Sequence, residues 1–198
     1  MEVGQDGAMA TEVAEFILSM EDLREVVAFA EACAQEALEI FEAQRPDDAR
    51  PRHAINTAGE FARGGKRGKA LRDAAWAALK ATKEADAAPA EAARAAMAAA
   101  GAAYLHPLPN STQVKHILGS AAHAARAAEL AAGDNHAIGD ERATKAVRQA
   151  TPALVDVLKR YPAAPAGGGR IGELTRLIDA ALRGRVYPCA HAGEDAEH

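Results

Sequence analysis

The stretch "AAPAEAARAAMAAAGAA", residues 87–103, constrains the whole chain, because alanine fills it almost without interruption. Alanine is the strongest helix former and adds no bulk, so helices built from it bury their faces only by packing closely against neighbours. The bias is general: 53 of the 198 residues are alanine, whereas aromatic residues make up 4%. Too few β-branched and aromatic residues remain to furnish a sheet. The composition therefore predicts an all-α, single-domain bundle of about six to eight helices, large enough to form a core without disulfides or a structural metal.

Helix boundaries follow from caps and breakers. Residues 1–18 lack periodicity and read as an N-terminal extension, residues 19–183 as the helical domain and residues 184–198 as a tail. "SMED" is a capping-box start at Ser19, and Leu23, Val26, Val27, Ala30, Ala34, Ala37, Leu38 and Phe41 then form one apolar stripe, with Cys33 at its edge. Pro46 stops this helix, Asp48 can cap the next, and Gly64-Gly65 ends that one. A third helix, about residues 68–84, carries Leu71, Ala75, Trp76, Ala78 and Leu79. Pro89 opens a fourth at a first-turn position. Asn110 or Ser111 caps a fifth, which runs to about Ala132, and "GDNHAIGDE" reads as a loop before a sixth helix near Asp140. Thr151-Pro152 restarts or kinks that helix, which "ALVDVLKRYP" completes, "AAPAGGG" is a connector, and the last helix, about residues 170–183, buries Ile171, Leu174, Leu177, Ile178 and Leu182.

The net charge of -5 argues against general electrostatic binding of nucleic acid, which needs a basic surface to displace phosphate counterions. Two cysteines, Cys33 and Cys189, make neither a disulfide framework nor a zinc knuckle and suit a reducing compartment. "EFILSM" is too short to span a membrane and lacks the flanks of a secretion signal. The expectation is a cytoplasmic protein without a membrane segment, and a homo-oligomer is left open.

Two stretches carry candidate chemistry. In "FEAQRPDDARPRHAI", residues 41–55, Arg45, Asp47, Asp48, Arg50 and Arg52 crowd a joint stiffened by Pro46 and Pro51. Guanidinium forks facing carboxylates there either lock the angle between two helices or present preorganised charge to a partner, and the first reading is the stronger. In "QVKHILGSAAHAARAAEL", residues 113–130, Gln113, His116, Ser120 and His123 line one side of a helix, about 130° from the apolar face of Val114, Ile117, Leu118, Ala121, Ala125 and Ala128. That row is expected to face a neighbouring helix or a concave surface, with His106 nearby. His116 and His123 are separated by about 10.5 Å along the axis, too far to share one metal ion unaided.

Other signals are weak. "GGKRGKA" lacks the spacing of a phosphate loop and reads as a solvated basic turn, although "RGGKRGKALR", with Lys66, Arg67 and Lys69, admits a minor nucleic-acid reading. Glu15, Glu36 and Glu39 lie in helical context without a Glu-x-x-His motif. No catalytic motif, cofactor motif or metal set is visible.

The run "FEAQRPDDARPRHAI", the double glycine after it and the histidine-bearing "QVKHILGSAAHAARAAEL" together resemble the immunity proteins of bacterial polymorphic toxin systems, the family numbered five among them. The resemblance covers most of residues 20–130. It implies an all-helical, non-catalytic protein that binds and neutralises a protein toxin, and it places Arg45, Asp47, Asp48, Arg50 and Arg52 in the family motif. An acidic chain suits a basic toxin such as a nuclease domain. The insert "LHPLPNSTQVKH" and the extra C-terminal helices depart from the shorter members.

Overall fold

The computed structural model describes residues 16–185, and within them the regular structure is entirely helical. Eight α-helices follow in order: α1 (Met20–Gln44), α2 (Arg50–Ala62), α3 (Lys69–Ala81), α4 (Ala87–Gly101), α5 (Val114–Ala131), α6 (His136–Gln149), α7 (Pro152–Lys159) and α8 (Gly169–Arg183). Short 3-10 turns extend α3 over Thr82–Glu84, extend α4 over Ala102–Tyr104 and lead into α5 over Ser111–Gln113.

Local chemistry explains most boundaries. Ser19 Oγ accepts from the Asp22 amide at 3.0 Å while Asp22 Oδ2 accepts from the Ser19 amide at 2.8 Å, a reciprocal capping box. At Gly64, φ is 109°, and a Cβ on Gly65 would stand 2.7 Å from the Glu60 carbonyl oxygen, so this helix end has room only for glycine. Thr151 Oγ1 caps α7 from ahead of Pro152.

The fourth helix begins at Ala87, which puts Pro89 in its first turn as expected. Two boundaries differ from expectation. The sixth helix begins at His136, because Asn135 accepts from the Ala137 amide and caps it one turn before Asp140. Ala49 occupies the cap position of α2, and Asp48 assists from one residue earlier by accepting from the Arg50 amide at 3.1 Å.

α5 is the centre of the bundle, touching α4, α1, α6 and α8. Its most extensive contact is with α4, whose Ala92, Ala93, Ala95, Ala96, Ala99 and Ala100 are all buried. Small side chains on both helices let the backbones approach. Ser120 stands where three helices meet, since its Oγ reaches the carbonyl oxygens of Ala30 in α1 at 2.6 Å and Ala95 in α4 at 3.1 Å. The single O–H thus has a carbonyl acceptor on each of two neighbouring helices, so the buried hydroxyl is satisfied inside the core.

Two apolar side chains lie outside their expected positions. Leu177 on α8 is partly exposed. Trp76 on α3 is 63% exposed, because the core face of α3 is Leu71, Ala74, Ala78 and Ala81 and Trp76 falls on the opposite side, roughly 180° around the helix. Cys33 is fully inside the core, and burial, aided by Glu36, pushes its thiol well above the ordinary range.

The Ser120 contact predicts a graded loss of stability. In urea unfolding, Ser120→Ala should cost about 1 kcal/mol, and Ser120→Leu a further 1–3 kcal/mol or so because the helices leave no room for it. Equal stability of the two variants would contradict close packing at this point.

Candidate functional site

The charged joint between α1 and α2 is closed by a residue far away in sequence. Glu84, at the end of the 3-10 turn after α3, accepts from Arg45 at 3.0 Å and from Arg50 at 3.0 and 3.2 Å, while Arg45 also donates to the Glu84 carbonyl at 2.5 Å. Asp48 completes the knot, taking the Arg50 fork at 2.8 and 2.6 Å. Beside it, Arg52 makes a paired contact with Glu42 of α1 at 2.6 and 2.5 Å. Gln44 and Asp86 bond each other in both directions, bringing the end of α1 to the start of α4.

Arg45, Asp48, Arg50 and Arg52 therefore all spend their charge within the protein. Asp47 does not: it is exposed and forms no ion pair or hydrogen bond with the described residues. It borders an open depression of about 740 Å³ with Pro46, Ala49, His53 and Ala77. The hydrogen bonds from Arg50 hold the Asp48 carboxyl below its ordinary range against the opposing effect of partial burial.

The histidine row is divided by the fold. Ser120 lies in the core, contrary to its expected place on a non-core face, because α5 is central and is covered on more than one side. Gln113, His116 and His123 instead line a cleft of about 610 Å³ between α4, α5 and the segment from Pro165 to Thr175. Met97, Gly101 and Ile171 give it apolar walls, and Lys115 is among its lining residues. His106 remains outside: its amide donates to Gln113 Oε1 at 3.0 Å and its carbonyl accepts from Tyr161 Oη at 2.8 Å.

The two cleft histidines differ in their surroundings. His123 Nδ1 lies 2.6 Å from Glu91 Oε2, and Glu91 also pairs with Arg94 at 2.8 Å. Burial opposes ionisation of Glu91, but the bond to His123 and the fields of His123, Arg94 and Arg126 prevail and lower its pKa. For His116, burial, assisted by the field of His106 and opposed only weakly by the Gly101 backbone, pushes the imidazole below the ordinary range. A neutral His116 and an oriented His123 can act as hydrogen-bonding edges for a bound group.

A third cluster had no signal in the sequence. Glu129, at the end of α5, is completely buried and receives Arg170 of α8 at 2.8 Å as well as Arg126. Arg170 also binds Asp140 at 2.6 Å and the His136 carbonyl at 3.2 Å. A Cβ on Gly139 would stand 2.0 Å from Glu129 Oε2, so α6 crosses this carboxylate through a glycine. Glu129, Asp134 and His136 have the ligand types of a metal site. Here, however, guanidinium groups supply the compensating positive charge, binding Asp134 from Arg126 at 2.5 Å as well. Of the carboxylates weighed from sequence, Glu36 holds Lys145 at 2.9 Å and Gln149 at 2.5 Å, Glu39 is exposed, and Glu15 lies outside the described residues.

Residues 17–152 match the family described as "Imm-5 like putative immunity protein". The chain belongs to that family. No curated protein and no solved structure matches it. In this Imm-5 like protein the matched region spans α1 to α6 and includes the charged joint, Glu84, Glu91 and the histidines. α8 and the preceding segment fall beyond the match, although they form one wall of the cleft and contribute Arg170 to Glu129. Among the described residues, no helix is long and apolar enough to cross a membrane.

The joint separates two neighbouring aspartates. Asp48→Asn should lower the melting temperature at neutral pH by an amount corresponding to about 1–2 kcal/mol, whereas Asp47→Ala should leave it within a degree or so. Because the folded-state pKa of Asp48 is depressed, its contribution is complete above the unfolded value of about 4 and is lost as pH falls through the folded value. The gap between wild type and Asp48→Asn in a melting series should therefore narrow below about pH 4.

Proposed function

We propose that this Imm-5 like protein is a non-catalytic immunity protein that binds and neutralises a cognate bacterial protein toxin in the cytoplasm. The family match over residues 17–152 carries this reading. The site geometry agrees with it. Ser120 donates into the core, away from His116 and His123, so the row does not assemble a serine–histidine pair. Four of the five charged motif residues pair within the protein around the α1–α2 corner, which supports reading the motif as fold-locking, with Asp47 as its outward charge.

Expression of the adjacent toxin gene should arrest growth of cells lacking this gene, and restoring it should rescue them. The two purified proteins should co-elute as a stable complex. A toxin-like neighbour that this protein neither binds nor silences would refute the proposal.

The cleft favours one alternative, a helical metal-binding protein or enzyme that uses the histidine row. Its observation is the pairing of a carboxylate-oriented His123 with a neutral His116 around a cavity of about 610 Å³. Protein prepared without a histidine tag should then retain stoichiometric metal, or gain several degrees of melting temperature on titration with zinc, and lose that gain in His123→Ala. Metal-free protein indifferent to zinc would remove this alternative.

A further inference from the structure

The most exposed face of α3 is both aromatic and basic. Lys69, Arg72, Asp73, Trp76 and Lys80 are all exposed and fall within roughly 100° of arc at the helical repeat. Lys83 continues the row on the 3-10 turn, and Lys66 and Arg67 precede it. Between Arg63 and Lys83 stand seven of the chain's 23 lysines and arginines, but only one of its 28 acidic residues. A protein with net charge -5 thus concentrates positive charge in the stretch that carries its single tryptophan.

That tryptophan is unusual for its position. Burying an indole is among the largest apolar gains open to a side chain, and α3 has a complete core face without it. An exposed tryptophan flanked on its helix face by Arg72 and Lys80, one turn away on either side, has the composition of an interface hot spot. We infer that the outer face of α3, centred on Trp76, is a docking surface for an acidic surface of a partner protein. This inference rests on the immunity reading for the partner's identity and departs from the basic partner that net charge alone suggests.

Two other occupants fit less well. Nucleic acid would need an unbroken row of free cations tracking phosphates, but Lys69 is held by Asp73 at 2.5 Å, Arg67 reaches the Ala103 carbonyl at 3.5 Å and Arg72 lies over the Tyr104 ring at 5.7 Å, which leaves the free charge to Lys66, Lys80 and Lys83. Trp76 also offers only one stacking platform, where single-strand binders use several. A symmetric dimer through this face would set Lys80 and Arg72 against their own copies, a like-charge contact that disfavours it.

Incorporation of 5-fluorotryptophan into the full chain gives one fluorine resonance, that of Trp76, which can be followed while the adjacent toxin, poly-L-glutamate or a single-stranded oligonucleotide is added. The toxin should shift this resonance. Trp76→Ala should weaken toxin binding at least about 30-fold, and Lys80→Glu combined with Lys83→Glu about tenfold at low salt, with melting temperatures unchanged. Toxin binding that leaves the resonance in place and is indifferent to Trp76→Ala would overturn the inference while the immunity reading survives. A shift with poly-L-glutamate but no toxin binding and no protection of cells would support the acidic-surface preference and sink the immunity reading. A shift only with the oligonucleotide, a shift with protein concentration alone, or no shift with any probe would each overturn the inference.

Discussion

The structure depends on how closely α1 and α4 approach α5. Ser120 reaches the backbone carbonyls of both neighbours because alanine lines the surfaces around it. Packing of this kind has a high density of contact and little tolerance for added volume. It also makes α5 a helix covered on more than one side, so its apolar stripe and part of its polar row are both interior. The remaining face is the one that meets α4 and the segment from Pro165 to Thr175, and there the cleft opens.

Around that centre, charge is used mainly to fix corners. Glu84 gathers Arg45 and Arg50 at the α1–α2 joint, and Glu129 gathers Arg126 and Arg170 where α5, α6 and α8 meet. The two knots differ in environment. Glu84 is half exposed, so solvent screens its pairs, whereas Glu129 is fully buried and depends on its guanidinium partners. The second knot also fastens α8, which lies beyond the family match, onto the matched helices. The matched helices and α8 share one electrostatic anchor.

Local signals were readable wherever a residue acts on its near neighbours. The Ser19 capping box, the stop at Pro46, the glycine pair after α2 and the Thr151-Pro152 restart all operate within a few positions, and each stands where the residues suggested. The fold class followed from alanine content, and the arginine-rich joint was visible as a motif. The carboxylates that complete the sites were not visible. Glu84 lies 34 residues from Arg50 and Glu91 lies 32 from His123, separations over which sequence spacing carries no contact information.

Burial of individual side chains marks the same division. By itself the sequence determined an all-helical chain, most helix ends and the concentration of charge at the α1–α2 joint, because propensity, capping and proline geometry are short-range effects. Tertiary structure alone decided that Ser120 points into the core, that Trp76 points out, and that His116 and His123 border a cleft walled by a distant segment. The reason is that a helix has a full circumference of faces, and which of them become interior depends on how many neighbours surround it. α5 has neighbours on several sides, whereas α3 buries one face, and a residue's own periodicity does not record that difference.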